Sequence, residues 1–177
     1  MNCIGKYSLL IAAILVGLSS PVLAENISFG FGTSFFKPSD GAFNTTNGIS
    51  FVLKWAIDKD ISFGIINEGT VLDHVATGTV GTLQVTGITL TKGVIKNVAL
   101  GITLGAGVAE LTNIVTSPLV DIFGTTTLLS RKGEKVTGAL NATIAARYMN
   151  TNGLDAGGTA VNNLNGVNVR IEVTIGF

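Results

Sequence analysis

The chain has 177 residues, enough for one domain, with 11 basic and 11 acidic residues and 12% charge, about half the share of an ordinary soluble domain. No basic patch argues for nucleic acid, and no like-charge run argues for a disordered tail. A surface this poor in charge has to face lipid or be covered by further copies of the chain.

Met1 to Ala24 reads as a secretory signal: Lys6, then the ten-residue apolar run from Leu9 to Leu18, then Ser19-Ser20-Pro21 and a cleavage junction between Ala24 and Glu25. The run is too short to span a bilayer, which takes about 20 apolar residues. Cys3 would leave with this segment, so the mature chain, 25–177, would carry neither disulfide nor thiol chemistry.

From Ile27 onward the apolar residues recur with period two, the mark of strands. Ile27, Phe29, Phe31 and Phe35 alternate with Ser28, Gly30, Gly32 and Ser34. A longer connection, Lys37 to Asn47, leads to Ile49, Phe51, Leu53, Trp55 and Ile57, which alternate with Ser50, Val52, Lys54 and Ala56. Asp58-Lys59-Asp60 is a short turn. Ile61 to Val71 is a third strand, and Leu72 to Thr79 a longer loop holding the only histidine, His74. A fourth strand covers about Val80 to Thr91, with imperfect parity, before the turn at Lys92 to Asn97. The fifth is clean: Val98, Leu100, Ile102, Leu104, Ala106 and Val108 oppose an inner wall of Ala, Gly and Thr. After a loop at Leu111 to Pro118, a sixth, imperfect strand runs from about Leu119 to Leu129, and Ser130 to Lys135 turns the chain. Leu140, Ala142, Ile144, Ala146 and Tyr148 then alternate with Asn141, Thr143, Ala145 and Arg147. The loop Asn150 to Asn165 precedes a last strand, in which Val167, Val169, Ile171, Val173, Ile175 and Phe177 share one face.

These are eight strands, mostly of 10–12 residues, where about 9–11 cross a hydrocarbon layer at a tilt. Short charged turns alternate with longer polar loops, the layout of outer-membrane barrels. Charge placement agrees. Lys59, Lys92, Lys96, Arg131, Lys132 and Lys135 sit in or beside the short turns, while Lys54, Glu68, Arg147, Arg170 and Glu172 have inward parity and form an expected lumen charge network. A lipid-facing Lys or Arg at the midplane costs about 2–4 kcal/mol, and the pattern avoids it. Backbone groups in lipid must pair internally, so such strands close into a ring. Phe35, Phe36, Trp55, Tyr148 and Phe177 are expected as interface aromatics, since amphipathic rings favour the membrane boundary. The expected fold is therefore all-β: an eight-stranded antiparallel up-and-down transmembrane β-barrel, 25–177, after a cleaved signal peptide.

Eight amphipathic strands ending in VRIEVTIGF resemble the small outer-membrane barrels of the OmpA, OmpX and OmpW type. The resemblance implies that Ile171, Val173, Ile175 and Phe177 serve as the barrel-assembly signal. It also implies a bacterial outer-membrane location, with outer-membrane lipid, periplasmic chaperones and the barrel-assembly machinery as partners, and an unidentified partner at the surface. Some barrels of this size are lipid A-modifying enzymes that use His with Ser and an acid. Asp73-His74 lacks a matching His-x-Ser arrangement, and a hydrolytic site needs nucleophile, base and orienter in mutual hydrogen-bond reach. One histidine and no mature cysteine leave no metal set, and no cofactor is expected. A barrel of eight strands is barely wide enough for its own side chains. A non-enzymatic barrel with a structural or surface-contact role therefore leads. A narrow channel or small-molecule transporter stays open because the fifth strand's Gly-rich inner wall could leave a cavity. A chaperone-assembled, pilin-like fibre subunit is the third reading, since such chains are also Gly- and Thr-rich β proteins that exchange strands.

Overall fold

The computed structural model describes residues 27–133 and 136–177; the Ala24–Glu25 junction and everything before it lie outside the described residues. Nine strands follow in order: β1 (Ile27–Pro38), β2 (Thr46–Ala56), β3 (Ile61–His74), β4 (Thr79–Ile95), β5 (Val98–Glu110), β6 (Ile114–Lys132), β7 (Thr137–Asp155), β8 (Ala160–Asn163) and β9 (Gly166–Gly176). Every pairing is antiparallel, β1 through β7 pair in sequence, and β9 joins β7 to β1. Eight strands thus form a closed up-and-down ring, each with two neighbours. The ninth, β8, pairs only with β7 beyond the ring, Leu154 opposite Val161.

The register fixes the shape. Stepping from Ser28 to Lys54, Gly64, Thr89, Thr103, Asp121, Arg147, Gly166 and back onto β1 ends at Pro38. The circuit has climbed ten residues of β1 over eight strands. With a rise of about 3.3 Å per residue and a strand spacing of about 4.8 Å, that stagger tilts the strands roughly 40° from the barrel axis.

Alternation then sorts the side chains. Phe29, Phe31, Ile49, Phe51, Leu90, Ile102, Leu104, Ile144, Ile171 and Val173 are exposed on the outer surface. Ser34, Ser50, Glu68, Thr89, Thr103, Asp121, Arg147, Asn168 and Arg170 are buried inside it. Soluble monomers keep contiguous apolar patches to about 300–600 Å², whereas here exposed Phe, Ile, Leu and Val side chains occur on all eight ring strands.

Several strands outrun the sequence pattern. The expected loop at Leu72 to Thr79 shrinks to the four residues between His74 and Thr79, closed by Gly78 at φ 67°. Leu111 to Pro118 shrinks to three, because β6 begins at Ile114. The turn expected at Lys92 to Asn97 narrows to two residues, with Asn97 at φ 65°. The imperfect parity of β4 and β6 comes from apolar residues that face inward, Leu83 and Val85 on one and Leu119 and Phe123 on the other, while bulges at Gly93/Ile95 and Thr127/Leu129 shift the register only at the short-turn ends. The stretch Asn150 to Asn165, expected as a loop, contains the β7–β8 hairpin.

Candidate functional site

The interior is organised in two layers, both built from inward-facing positions of the ring. The first is ionic. Arg147 on β7 sits directly opposite Asp121 on β6 in the register. Its Nε and Nη2 donate to the two Asp121 carboxylate oxygens at 3.0 and 2.9 Å, a bidentate pair. Its Nη1 donates to Glu68 Oε1 at 2.9 Å. Glu68 comes from β3, four strands away in a ring of eight, so this bond spans the barrel interior. The other Glu68 oxygen accepts from Asn168 Nδ2 at 2.7 Å, and the Arg147 guanidinium lies 5.2 Å over the Phe36 ring.

Arg170 extends the layer, 3.9 Å from Glu68 Oε2, 4.0 Å from Glu172 Oε1 and 5.7 Å over the Phe123 ring. Ser50 donates to Glu172 at 3.2 Å. Lys54 shares the lumen face of β2 one turn of the pleat further toward the short-turn end; among the described residues it makes no ion pair within 4.0 Å. Three acids and three bases thus face inward, a balanced set that suits a filled interior rather than a selective ionic path.

The second layer is an apolar plug at the end of the long connections. Phe36, Leu72, Leu83, Val85, Leu119 and Met149 close in from the wall. Phe43 folds in from the β1–β2 connection, and Leu154, Val161 and Leu164 come down from the β7–β8 hairpin. His74, expected in a loop, ends β3 and points into this plug, 1% exposed. Its ring meets Phe43 edge-on at 5.0 Å, and its Nδ1 lies 2.8 Å from Thr77 Oγ1. Asp73 points to the opposite face, where it accepts from Asn44 Nδ2 at 2.7 Å. Strand alternation therefore separates the one histidine from its neighbouring acid.

Two corrections to the sequence expectations follow from packing. Phe36 is not an interface aromatic: it is fully buried under Arg147, one residue out of phase with the exposed Phe35. The Gly-rich inner wall of β5 encloses no free space of its own. A side chain at Gly101 would strike the Phe123 ring, and one at Gly107 would strike Met149. Those large residues on β6 and β7 occupy the room the glycines leave, the small-to-large complementarity expected of a closely packed interior.

The remaining aromatics face outward. Tyr148 and Phe177 are each 54% exposed, and Trp55 packs on Phe63 at a centroid distance of 5.8 Å. Ile171, Val173 and Ile175 also face outward, on the strand that closes the ring between β1 and β7.

Sequence reasoning missed Asp121 and Phe43. Asp121 had a usable signal, a single acid between Val120 and Ile122 in an apolar stretch. Phe43 had none, because its burial depends on where a connection folds.

No protein-family model matches the chain, and no curated protein does. Among solved structures it is similar to the outer membrane protein OprG from Pseudomonas aeruginosa. That overlap covers 87% of this chain and 96% of that one at 8% identity and a TM-score of 0.47. It is also similar to Neisserial surface protein A (NspA), over 84% of this chain and 93% of that one at 10% identity and a TM-score of 0.45. The assignment of the fold as a closed eight-stranded β-barrel rests on the register of the strands themselves.

Proposed function

We propose that this chain is a non-enzymatic bacterial outer-membrane barrel whose lumen is closed and whose long-connection end, β7–β8 hairpin included, is a surface for contact with partners outside the cell. The carrying observation is the closed ring itself, apolar around its outside and filled inside by an ionic layer beneath an apolar plug. A closed ring leaves no hydrogen-bonding edge in lipid, and its apolar exterior needs lipid as solvent. Export would bring the chain to the periplasm, where chaperones and the assembly machinery would insert it, with Ile171, Val173, Ile175 and Phe177 on the closing strand as the segment recognised.

The fibre-subunit reading loses its support, because strand exchange needs an unfilled sheet edge and each ring strand has both neighbours. The channel reading requires the plug and the Arg147 network to move together, and Phe123 and Met149 occupy the space that favoured it. Single-channel recording of the purified protein in planar bilayers tests the choice. The closed-lumen reading expects insertions without a stable open level. A stable conductance in most insertions would transfer the assignment to a channel.

A further inference from the structure

The two ends of the barrel carry opposite charge. Around the short-turn end, Lys59, Lys92, Lys96, Arg131 and Lys132 face only Asp58 and Asp60 among the described residues. Around the other end, Asp40, Asp73, Glu110 and Asp155 outnumber Lys37. Neither short-turn acid offsets the cations fully. Asp58 accepts the backbone N–H groups of Asp60 and Ile61, each at 2.7 Å, and stays ionised, so the two acids together offset two of the five cations. Asp60 reaches Lys59 only at 4.0 Å, with the Lys59 side chain 90% exposed.

Between the first two short turns lies a cleft of about 530 Å³. Lys59 and Lys96 line it together with one acid, Asp60; Asn97 adds a polar group, Thr125 and Thr127 bond Ala142, Thr143 and Asn141 on the lumen side, and Val94 and Ile95 form an apolar wall. Those two are 58% and 69% exposed, and Ile57, Leu128 and Leu129 continue the apolar surface beside the cations. Cations set against exposed aliphatic side chains match the level in a bilayer where phosphates meet acyl chains.

We propose that this cleft and the basic rim around it bind the headgroups of anionic phospholipids, the phosphate between Lys59 and Lys96 and the upper acyl chain along Val94 and Ile95. The inference rests on the membrane reading above, which turns this end toward the inner leaflet. It adds a ligand class and a site to that reading. Charge complementarity favours it, because basic residues near an anionic leaflet each contribute favourably, and the opposite rim has the wrong sign.

The test uses the refolded chain in dodecyl maltoside micelles, with bound lipid counted by native mass spectrometry. Six-carbon-chain phosphatidylglycerol is compared at equal concentration with phosphatidylcholine of the same chain length and with inorganic phosphate. Phosphatidylglycerol should be retained over phosphatidylcholine, and K59Q/K96Q should weaken its retention roughly thirtyfold. K37Q at the far end should leave retention unchanged. Equal retention of both lipids, or wild-type retention by K59Q/K96Q, would overturn the proposal. Displacement of the lipid by inorganic phosphate at equal concentration would place a free anion there and overturn the lipid assignment. Each sample is also run unboiled and boiled on a gel. A shift on boiling shows an intact barrel, so lost discrimination then counts against the site alone. Its absence in the wild type would fail the membrane reading as well.

Discussion

Replacing Arg147 with Met removes the centre of the ionic layer while keeping much of its volume. Arg147 is 1% exposed and donates three charged hydrogen bonds to Glu68 and Asp121. Its loss leaves two carboxylates facing each other, both fully buried. Removing one partner of a buried ion pair costs about 3–5 kcal/mol, a large share of the roughly 5–15 kcal/mol that holds a typical domain together. Methionine retains contact with Phe36, so the loss should come from the stranded charges rather than from a cavity. The assay is urea unfolding in detergent micelles, followed by gel mobility of unboiled samples and by the fluorescence of Trp55, the single tryptophan. The companion variant R147M/E68Q/D121N removes Arg147 and both its acids together and should recover part of the stability, because no carboxylate is then stranded and Arg170, though it loses Glu68, keeps Glu172 at 4.0 Å. A loss under about 1 kcal/mol in R147M, or a triple variant that only sums its three single changes, would refute the reasoning.

Other consequences can be measured by the same unfolding assay, with lipid vesicles replacing the micelles for the two lysine variants. Lysine at Ile144, exposed on the outer face of β7 between Ala142 and Tyr148, should cost about 2–4 kcal/mol in lipid. Lysine at Ile114, at the rim beyond the β5–β6 ladder's apolar stretch, should cost under about 0.5 kcal/mol. Equal costs would contradict a bilayer-facing belt. Gly107→Val should destabilise by about 1–3 kcal/mol through its clash with Met149, and M149A should relieve most of it; additive losses in the pair would show that the clash is not the cause. Asp58 is held below the usual carboxylate range by the backbone N–H groups of Asp60 and Ile61. A depressed folded value means its contribution is present above the unfolded value of about 3.9 and is lost as the pH falls through the lower folded value. The stability gap between wild type and D58N should therefore close in acid, and a gap independent of pH would rule out this cap.

How much of the molecule could be read from residues follows from where each face lies. Within the apolar belt the outward face is apolar and exposed and the other lines the lumen, so β2, β5, β7 and β9 alternate cleanly and their inward residues follow from parity. Beyond the belt both faces meet water or a loop, and the contrast that marks a strand disappears. That is why the extension of β3 to His74, the start of β6 at Ile114 and the β7–β8 hairpin left no pattern in Thr, Asn and Gly. The lumen charges on Lys54, Glu68, Arg147, Arg170 and Glu172 could be placed on the inner face. Their pairing could not, because it depends on a stagger of ten residues that brings β3 and β7 to one level across the ring. Phe36 was legible: Phe35 continues the outward parity of Phe29 and Phe31, so its neighbour falls on the inner face with Ser34, where it lies under Arg147.

The most direct measurement is made on outer membranes from a Gram-negative host expressing the whole chain, with unboiled and boiled samples compared on a denaturing gel. A closed membrane barrel should partition with the outer membrane and migrate at a different apparent mass until it is heated. Protein found in the soluble periplasmic fraction, with one mobility before and after boiling, would contradict both the closure and the location.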